Sequence, residues 1–254
     1  MKVASWNVNS IRVRQQQVLD WLEAEQPDVL GLQEIKMPTD AFPADAFAEV
    51  GYHSEADGQK TYNGVALLSR AAPEAVHRLM PDFADEQRRV IAGTYQGTRI
   101  INLYVPNGQS VGSEKYNYKL GWLTALHAWI ERELAGHDRV IVMGDFNIAP
   151  DDRDVHDPEE WAGKILCSDA ERAALQGLLK LGLSDSFRLF EQPADSFSWW
   201  DYRAAGFRRN RGLRIDLLLI SPAVARTCSA SRIDKEPRGL ERPSDHAPVI
   251  VEFE

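Results

Sequence analysis

The apolar stretches of this chain repeatedly end in side chains that can do chemistry. Asn7 and Asn9 close the first, and Gln33 and Glu34 the second. Asn102 and Tyr104 stand just ahead of Pro106-Asn107, and Gly144-Asp145-Phe146-Asn147 ends another run. Asp216 interrupts the apolar run 213–220, and Ser244-Asp245-His246 leads into the last one. Alone, each such residue reads as a turn or cap. Gathered at one rim of a sheet, they would make a site. Clustered buried carboxylates repel one another unless a cation lies among them. Asn7, Glu34 and Asp245 offer hard oxygen donors, which suit Mg²⁺ or Mn²⁺ rather than zinc. Asp216 and His246 can pair, the carboxylate fixing the imidazole tautomer. Such a set suits phosphoester hydrolysis: a cation neutralises phosphate charge and a carboxylate activates water.

The elements that must carry these residues are legible as hydrophobic runs and stripes. Segments 2–8, 28–33, 64–69, 89–95, 98–105, 139–144, 213–220 and 247–253 read as strands, several of them apolar throughout. Gln96-Gly97-Thr98 predicts a hairpin between two of them. Helical stripes cover 12–25, 116–135 and 169–182, the last ending at Gly182. Hairpins mixed with helical crossovers predict an α/β fold with mixed sheets and covering helices. Strands scattered from one end of the sequence to the other predict one domain over 1–254 rather than two.

The chain of 254 residues is 44% hydrophobic and carries 29 Lys plus Arg against 38 Asp plus Glu, a net −9. An acidic total argues against indiscriminate coating of nucleic acid. No apolar run is long enough to span a bilayer, so no membrane partner is expected. No leader is apparent at the N-terminus, and two cysteines, Cys167 and Cys228, build no disulfide framework, so a cytoplasmic setting is expected. One segment runs against the acidic total. Arg203, Arg208, Arg209, Arg211 and Arg214 crowd 199–214 with a single acid, Asp201, and Trp199, Trp200, Tyr202 and Phe207 interleave. Cations suit backbone phosphates, and aromatic faces suit unstacked bases or sugars. The acidic stretch 151–160 lacks calcium-loop spacing and reads as a solvated loop. His53, His77, His127, His137 and His156 have no partner at useful spacing and read as surface or packing residues.

Taken in order, Asn7, Leu32-Gln33-Glu34, Tyr104-Val105-Pro106-Asn107, Gly144-Asp145-Phe146-Asn147, Arg214-Ile215-Asp216 and Ser244-Asp245-His246 resemble the exonuclease–endonuclease–phosphatase superfamily. Ser198-Trp199-Trp200-Asp201-Tyr202-Arg203 and Asn210-Arg211-Gly212-Leu213 narrow the resemblance to the bacterial exonuclease III family of abasic-site endonucleases, over residues 2–253. The resemblance implies a four-layer α/β sandwich, two mixed β-sheets packed face to face with helices outside. It implies a DNA repair hydrolase that cuts 5′ to abasic sites and trims or cleans 3′ ends of double-stranded DNA, as a monomer, with Mg²⁺ or Mn²⁺. Glu34 would be the main metal ligand, near Asn7, Asp245, Asp145 and Asn147. Asp145 would activate water, with Asn147 orienting it and contacting the phosphate. Tyr104 and His246 would hold the phosphate, and Asp216 would orient His246. Trp199, Leu213 and Ile215 would line a pocket for a flipped abasic sugar, with Arg203, Arg208, Arg209 and Arg211 on the backbone. Two alternatives stay open at this point: a small-phosphoester phosphatase of the same fold, and a non-catalytic nucleic-acid-binding regulator.

Overall fold

The computed structural model describes residues 1–254. Two six-stranded sheets lie face to face. The first runs, in spatial order, Cys228–Ile233, Val249–Phe253, Lys2–Asn7, Val29–Gln33, Val65–Ser69, His53–Asp57. The second runs Glu74–Arg78, Val90–Tyr95, Thr98–Tyr104, Val140–Asp145, Asp216–Ile220, Ser184–Asp185. Each sheet is mixed, with one parallel pair: Lys2–Asn7 beside Val29–Gln33, and Thr98–Tyr104 beside Val140–Asp145.

Central strands are apolar on both faces because both faces are buried. In Val140–Asp145, Ile141 and Met143 point into the layer between the sheets, while Val140 and Val142 point to the outer helices. Leu218 and Ile220 face inward and Leu217 and Leu219 outward by the same alternation. Helix Ile11–Glu25 covers the first sheet with Ile11, Val18 and Leu22. Helix Glu114–Gly136 covers the second with Trp122, Leu126, Trp129 and Ile130, joined by Leu175 and Leu178 of helix Asp169–Lys180. The expected four-layer sandwich is the fold observed.

Two of the strand-end polar residues brace the sheets rather than serve a site. Asn102 donates to the carbonyls of Leu32 and Ala66 at 3.0 and 2.9 Å, crossing from one sheet to the other. Gln33 donates to Asn102 Oδ1 at 2.6 Å and to Ser5 Oγ at 2.9 Å. Gly31 makes room for this: a Cβ there would lie 2.5 Å from the Met143 methyl and 2.8 Å from the Asn102 amide.

Several expected boundaries shift. The run 213–220 is not one strand. Gly212–Leu213 pairs with Trp199–Trp200 in a separate ribbon, and Asp216–Ile220 enters the second sheet. Between them the backbone N–H groups of Arg214 and Ile215 bond to the Asp154 carbonyl and Ser198 Oγ, so no sheet ladder passes through. The third helix stops at Lys180, with Gly182 beyond it at φ +103°. The last strand begins at Val249, after Pro248.

The stretch 151–160 is not simply solvated. Asp154 is fully buried and accepts from Arg188 and from Arg214, whose guanidinium also pairs with Asp185 at 2.7 Å. Arg214 is thereby a buried structural cation, not a member of an exposed basic patch. No helix is long and apolar enough to cross a membrane.

Candidate active site

The C-terminal ends of both parallel pairs open on one rim. Asn7 ends its strand there, Glu34 follows Gln33, and Tyr104 and Asp145 are paired neighbours across the second sheet. Asp216 opens its strand directly opposite Asp145. The approach to Asp145 needs Gly144, which sits at φ +145°; a Cβ there would lie 1.9 Å from the Leu103 carbonyl oxygen. Glu34 and Asn147 both adopt left-handed backbone, φ +52° and +49°, which turns the chain sharply at the rim. Such residues concentrate at functional sites.

The side chains converge. Asn7 Nδ2 donates to Glu34 Oε1 at 3.0 Å and to Asp145 Oδ2 at 2.9 Å. Its Oδ1 accepts the N–H of Asn9 at 3.0 Å, so the amide presents its nitrogen, not its oxygen, to the carboxylates. Asp145 Oδ1 accepts the backbone N–H of Asn147 at 2.9 Å. The Asn147 amide donates to the Val105 carbonyl at 3.0 Å and accepts from Asn107 Nδ2 at 3.2 Å. His246 bonds through Nδ1 to Asp216 at 2.9 Å, and its Nε2 lies 3.7 Å from Asp145 Oδ2. Ser198 Oγ donates to Asp216 Oδ2 at 2.6 Å, fixing that carboxylate.

Burial and charge perturb the titrating groups strongly. Burial, with Asp216 and Glu34 nearby, pushes Asp145 up to about 7, against the pull of His246. Burial disfavours charge on His246, yet the Asp216 and Asp145 carboxylates overcome it and raise the imidazole to about 10. Burial and the charges of Glu34 and Asp145 hold Tyr104 well above its usual value, so its hydroxyl stays a donor. Burial opposes ionisation of Asp245, but His246 and hydrogen bonds from Asn9 and Trp199 hold its carboxyl below the ordinary range.

Glu34, Asp145 and His246 bring ligand atoms within 4.8 Å of one another. With His246 carrying its own proton toward Asp145, the donors left for a cation are carboxylate oxygens, and that set fits a hard divalent ion. Lys36 Nζ lies 2.9 Å from Glu34 Oε2 and offsets part of the negative charge. Asp245 stands to one side, its oxygens accepting from Asn9 Nδ2 at 2.9 Å and Trp199 Nε1 at 3.0 Å.

Trp199, Leu213 and Ile215 meet in one apolar cluster, but the two aliphatic residues are fully covered there, among Val155, Leu166 and Cys167, and only Trp199 is partly open. The arginines divide. Arg203 pairs with Asp201 at 2.9 Å, and Arg211 with Glu160 at 2.9 Å, while Arg208 and Arg209 are exposed with no acid bound. Lys36 is a site residue that sequence reasoning did not single out, while Asn9 and Ser198, noted there at a strand end and in a motif, were given no role. On the other flank, Tyr104 and Asn107 border a groove of about 770 Å³ that also takes in Gln59, Asn63, Arg89 and Lys115.

Residues 4–246 match the Endonuclease/Exonuclease/phosphatase family. The chain is 41% identical to a Haemophilus influenzae protein named exodeoxyribonuclease III, with all of both chains covered. A Neisseria 3′ phosphatase solved with a product DNA hairpin superposes with a TM-score of 0.98 at 49% identity, covering 100% of this chain and 99% of that one. An Archaeoglobus fulgidus AP endonuclease superposes with a TM-score of 0.96 at 36% identity, again over 100% and 99%.

Proposed function

The chain belongs to the Endonuclease/Exonuclease/phosphatase family and is a nuclease of the DNA-repair kind, and we propose that it works on duplex DNA at abasic sites and at 3′ ends. The reaction is hydrolysis of the phosphodiester 5′ to an abasic site, and of 3′-terminal nucleotides or 3′-blocking phosphates. The observation that carries this reading is the placement of Asp145. Its carboxylate is held by Asn7 and by the Asn147 N–H, and it faces the imidazolium of His246.

Asp145 takes a proton from water as the water attacks phosphorus in line. A carboxylate raised to about 7 is a stronger base than an ordinary one and is charged in about half of the molecules at neutral pH. His246, kept charged by Asp216, and the Tyr104 hydroxyl donate to the non-bridging phosphate oxygens, where charge builds in the transition state. Asn107 has an amide hydrogen left after its bond to Asn147. Glu34 would hold the divalent cation, Mg²⁺ or Mn²⁺, with Asp145 beside it and the Asn7 amide bridging the two carboxylates. When bound, that cation supplies neutralisation of the phosphate and of the departing 3′ oxygen. Asn147 acts through its backbone N–H on Asp145, and Asp245 acts by anchoring Asn9 and Trp199 at the edge of the site.

The filled set at Glu34, Asp145, Asn147, Asp216 and His246 favours a catalyst over a silent binding protein. The test uses end-labelled duplexes: one with an internal abasic analogue, one with a recessed 3′ end, one with a 3′-phosphate. Cleavage of these in Mg²⁺, its loss in EDTA, and no turnover of inositol polyphosphate is the expected pattern. Turnover of the inositol phosphate alone would replace the nuclease reading.

A further inference from the structure

The ammonium of Lys119 is fully buried beneath the site and takes part in none of the steps above. It projects from helix Glu114–Gly136. Nζ donates to the backbone carbonyl of Asn147 at 2.7 Å, to that of Asn107 at 3.2 Å, and to the carboxylate of Glu171. Three acceptors use its three hydrogens. Glu171 is buried as well, and it accepts from the N–H groups of Leu166 and Ser168, each at 3.1 Å, and from Ser168 Oγ at 2.6 Å.

Asn107 and Asn147 lie on different loops, one after each strand of the parallel pair in the second sheet. Their side chains meet at 3.2 Å, and the ammonium below bonds to the backbone carbonyls of both. Packing there is tight: a Cβ on Gly108 would lie 3.1 Å from Lys119 Cδ and 2.9 Å from Ile165 Cδ1. A buried ion pair contributes little net stability compared with apolar side chains of similar volume. An apolar pair, however, could not pin two carbonyls from two loops to one point.

We infer that Lys119, backed by Glu171, is a positioning residue for the nuclease reaction: it sets Asn107 against Asn147 and, through the Asn147 backbone N–H, aims Asp145. This rests on the assignment of Asp145 in the proposed function. Leu166, whose N–H the same Glu171 holds, stands in the apolar cluster with Leu213 and Ile215. The pair thus joins the phosphate side of the site to its apolar wall.

The test is the double variant Lys119→Met/Glu171→Gln, which removes both charges and keeps one amide oxygen to accept from Ser168. On a recessed 3′-end duplex in Mg²⁺, kcat should fall about 10- to 100-fold, as for other residues that orient a catalytic group. KM should stay unchanged, since no DNA contact is removed. The same pair of changes is then made in an Asp145→Asn background, which removes the carboxylate that Lys119 is inferred to aim. If Lys119 acts by aiming Asp145, the losses do not multiply, and the pair costs far less there. Multiplying losses, or a folded double variant with wild-type kcat, would overturn the inference. Should the double variant fail to fold, Lys119→Gln/Glu171→Gln, an uncharged pair with a shorter reach and one donor fewer on residue 119, enters the same cycle with the same deciding outcomes. A wild-type protein that cleaves no duplex at all would instead remove the nuclease reading.

Discussion

The indole N–H of Trp199 donates to Oδ2 of Asp245 at 3.0 Å, joining the apolar side of the site to its acidic side. An isolated β-bridge between Trp199 and His246, and the bond from the Trp200 N–H to the Asp245 carbonyl at 3.0 Å, reinforce the joint. The aromatic ribbon and the Ser244-Asp245-His246 turn are therefore tied together by side-chain and backbone contacts.

This coupling separates two effects of Trp199. Trp199→Phe keeps a flat apolar face and removes only the donor to Asp245. It should slow abasic incision and 3′-end trimming by similar factors, within about tenfold, the scale of one lost hydrogen bond to a charged group. Trp199→Ala also removes the face, and should depress internal abasic incision further, because extruding a sugar from a stacked duplex costs a few kcal/mol that packing must offset. The ratio of the two activities on matched duplexes decides. An unchanged ratio in Trp199→Ala would leave Trp199 with only its role at Asp245.

Replacing the base gives a sharper loss. Asp145→Asn preserves shape and the Asn147 N–H bond but cannot accept the proton from water. Cleavage should fall by about 10²–10⁴ or more, while thermal unfolding and binding to an abasic duplex stay close to wild type. Turnover near that of the wild type would move the base elsewhere in the cluster.

The pH dependence follows from the two perturbed groups. Asp145, raised to about 7, must be charged to act, so activity falls as pH drops through that value. His246, raised to about 10, must be protonated to act, so activity falls again as pH rises through it. A divalent cation at Glu34 and Asp145 favours the charged carboxylate, and it competes with the proton. Raising Mg²⁺ should therefore shift the acidic limb of kcat/KM to lower pH and leave the alkaline limb in place. An acidic limb indifferent to Mg²⁺ would separate Asp145 from the cation.

Legibility in the sequence divides by burial. Strands at sheet centres are apolar on both faces and stand out as runs. The strands that escaped sequence reading, His53–Asp57, Glu74–Arg78, Ser184–Asp185 and Cys228–Ile233, are the four sheet edges. Edge strands carry polar and charged residues, which discourage pairing with other chains, so they lose the apolar signature that marks a strand. The rim residues were visible because a carboxylate or amide at the end of a buried strand is an anomaly. What spacing does not carry is side-chain orientation: the Asn7 amide turned nitrogen-first, Asp245 turned to Trp199, Arg214 turned into the protein. Lys119 was hidden for another reason, because a lysine in an amphipathic helix reads as exposed.

Arg214 and Asp154 test that last kind of error through stability. Both are buried, and Arg214→Met leaves Asp154 with Arg188 alone. Breaking a buried pair by removing one partner costs about 3–5 kcal/mol, and urea unfolding should register a loss on that scale. A loss below about 1 kcal/mol, as for an exposed pair, would return the 151–160 stretch to the status of a solvated loop.

The arginine loop makes the final prediction, and the structure narrows it. Arg203 and Arg211 already have acidic partners in Asp201 and Glu160, so releasing them to DNA exchanges one ion pair for another. Arg208 and Arg209 are exposed without an acid, on the same loop as Trp199. Each phosphate contact releases condensed counterions from DNA, and the log–log dependence of affinity on salt steepens by about 0.9 per contact. Replacing Arg208 and Arg209 together by Ala should flatten the slope by up to about 1.8, twice that value, measured by fluorescence anisotropy on an abasic duplex with Ca²⁺ in place of Mg²⁺ to prevent cleavage. Replacing Arg203 and Arg211 should change it less, because Asp201 and Glu160, freed of their partners, add repulsion that affects affinity more than ion release. Equal flattening from both pairs would mean that the two ion pairs open on DNA, and an unchanged slope from Arg208 and Arg209 would leave those side chains in solvent.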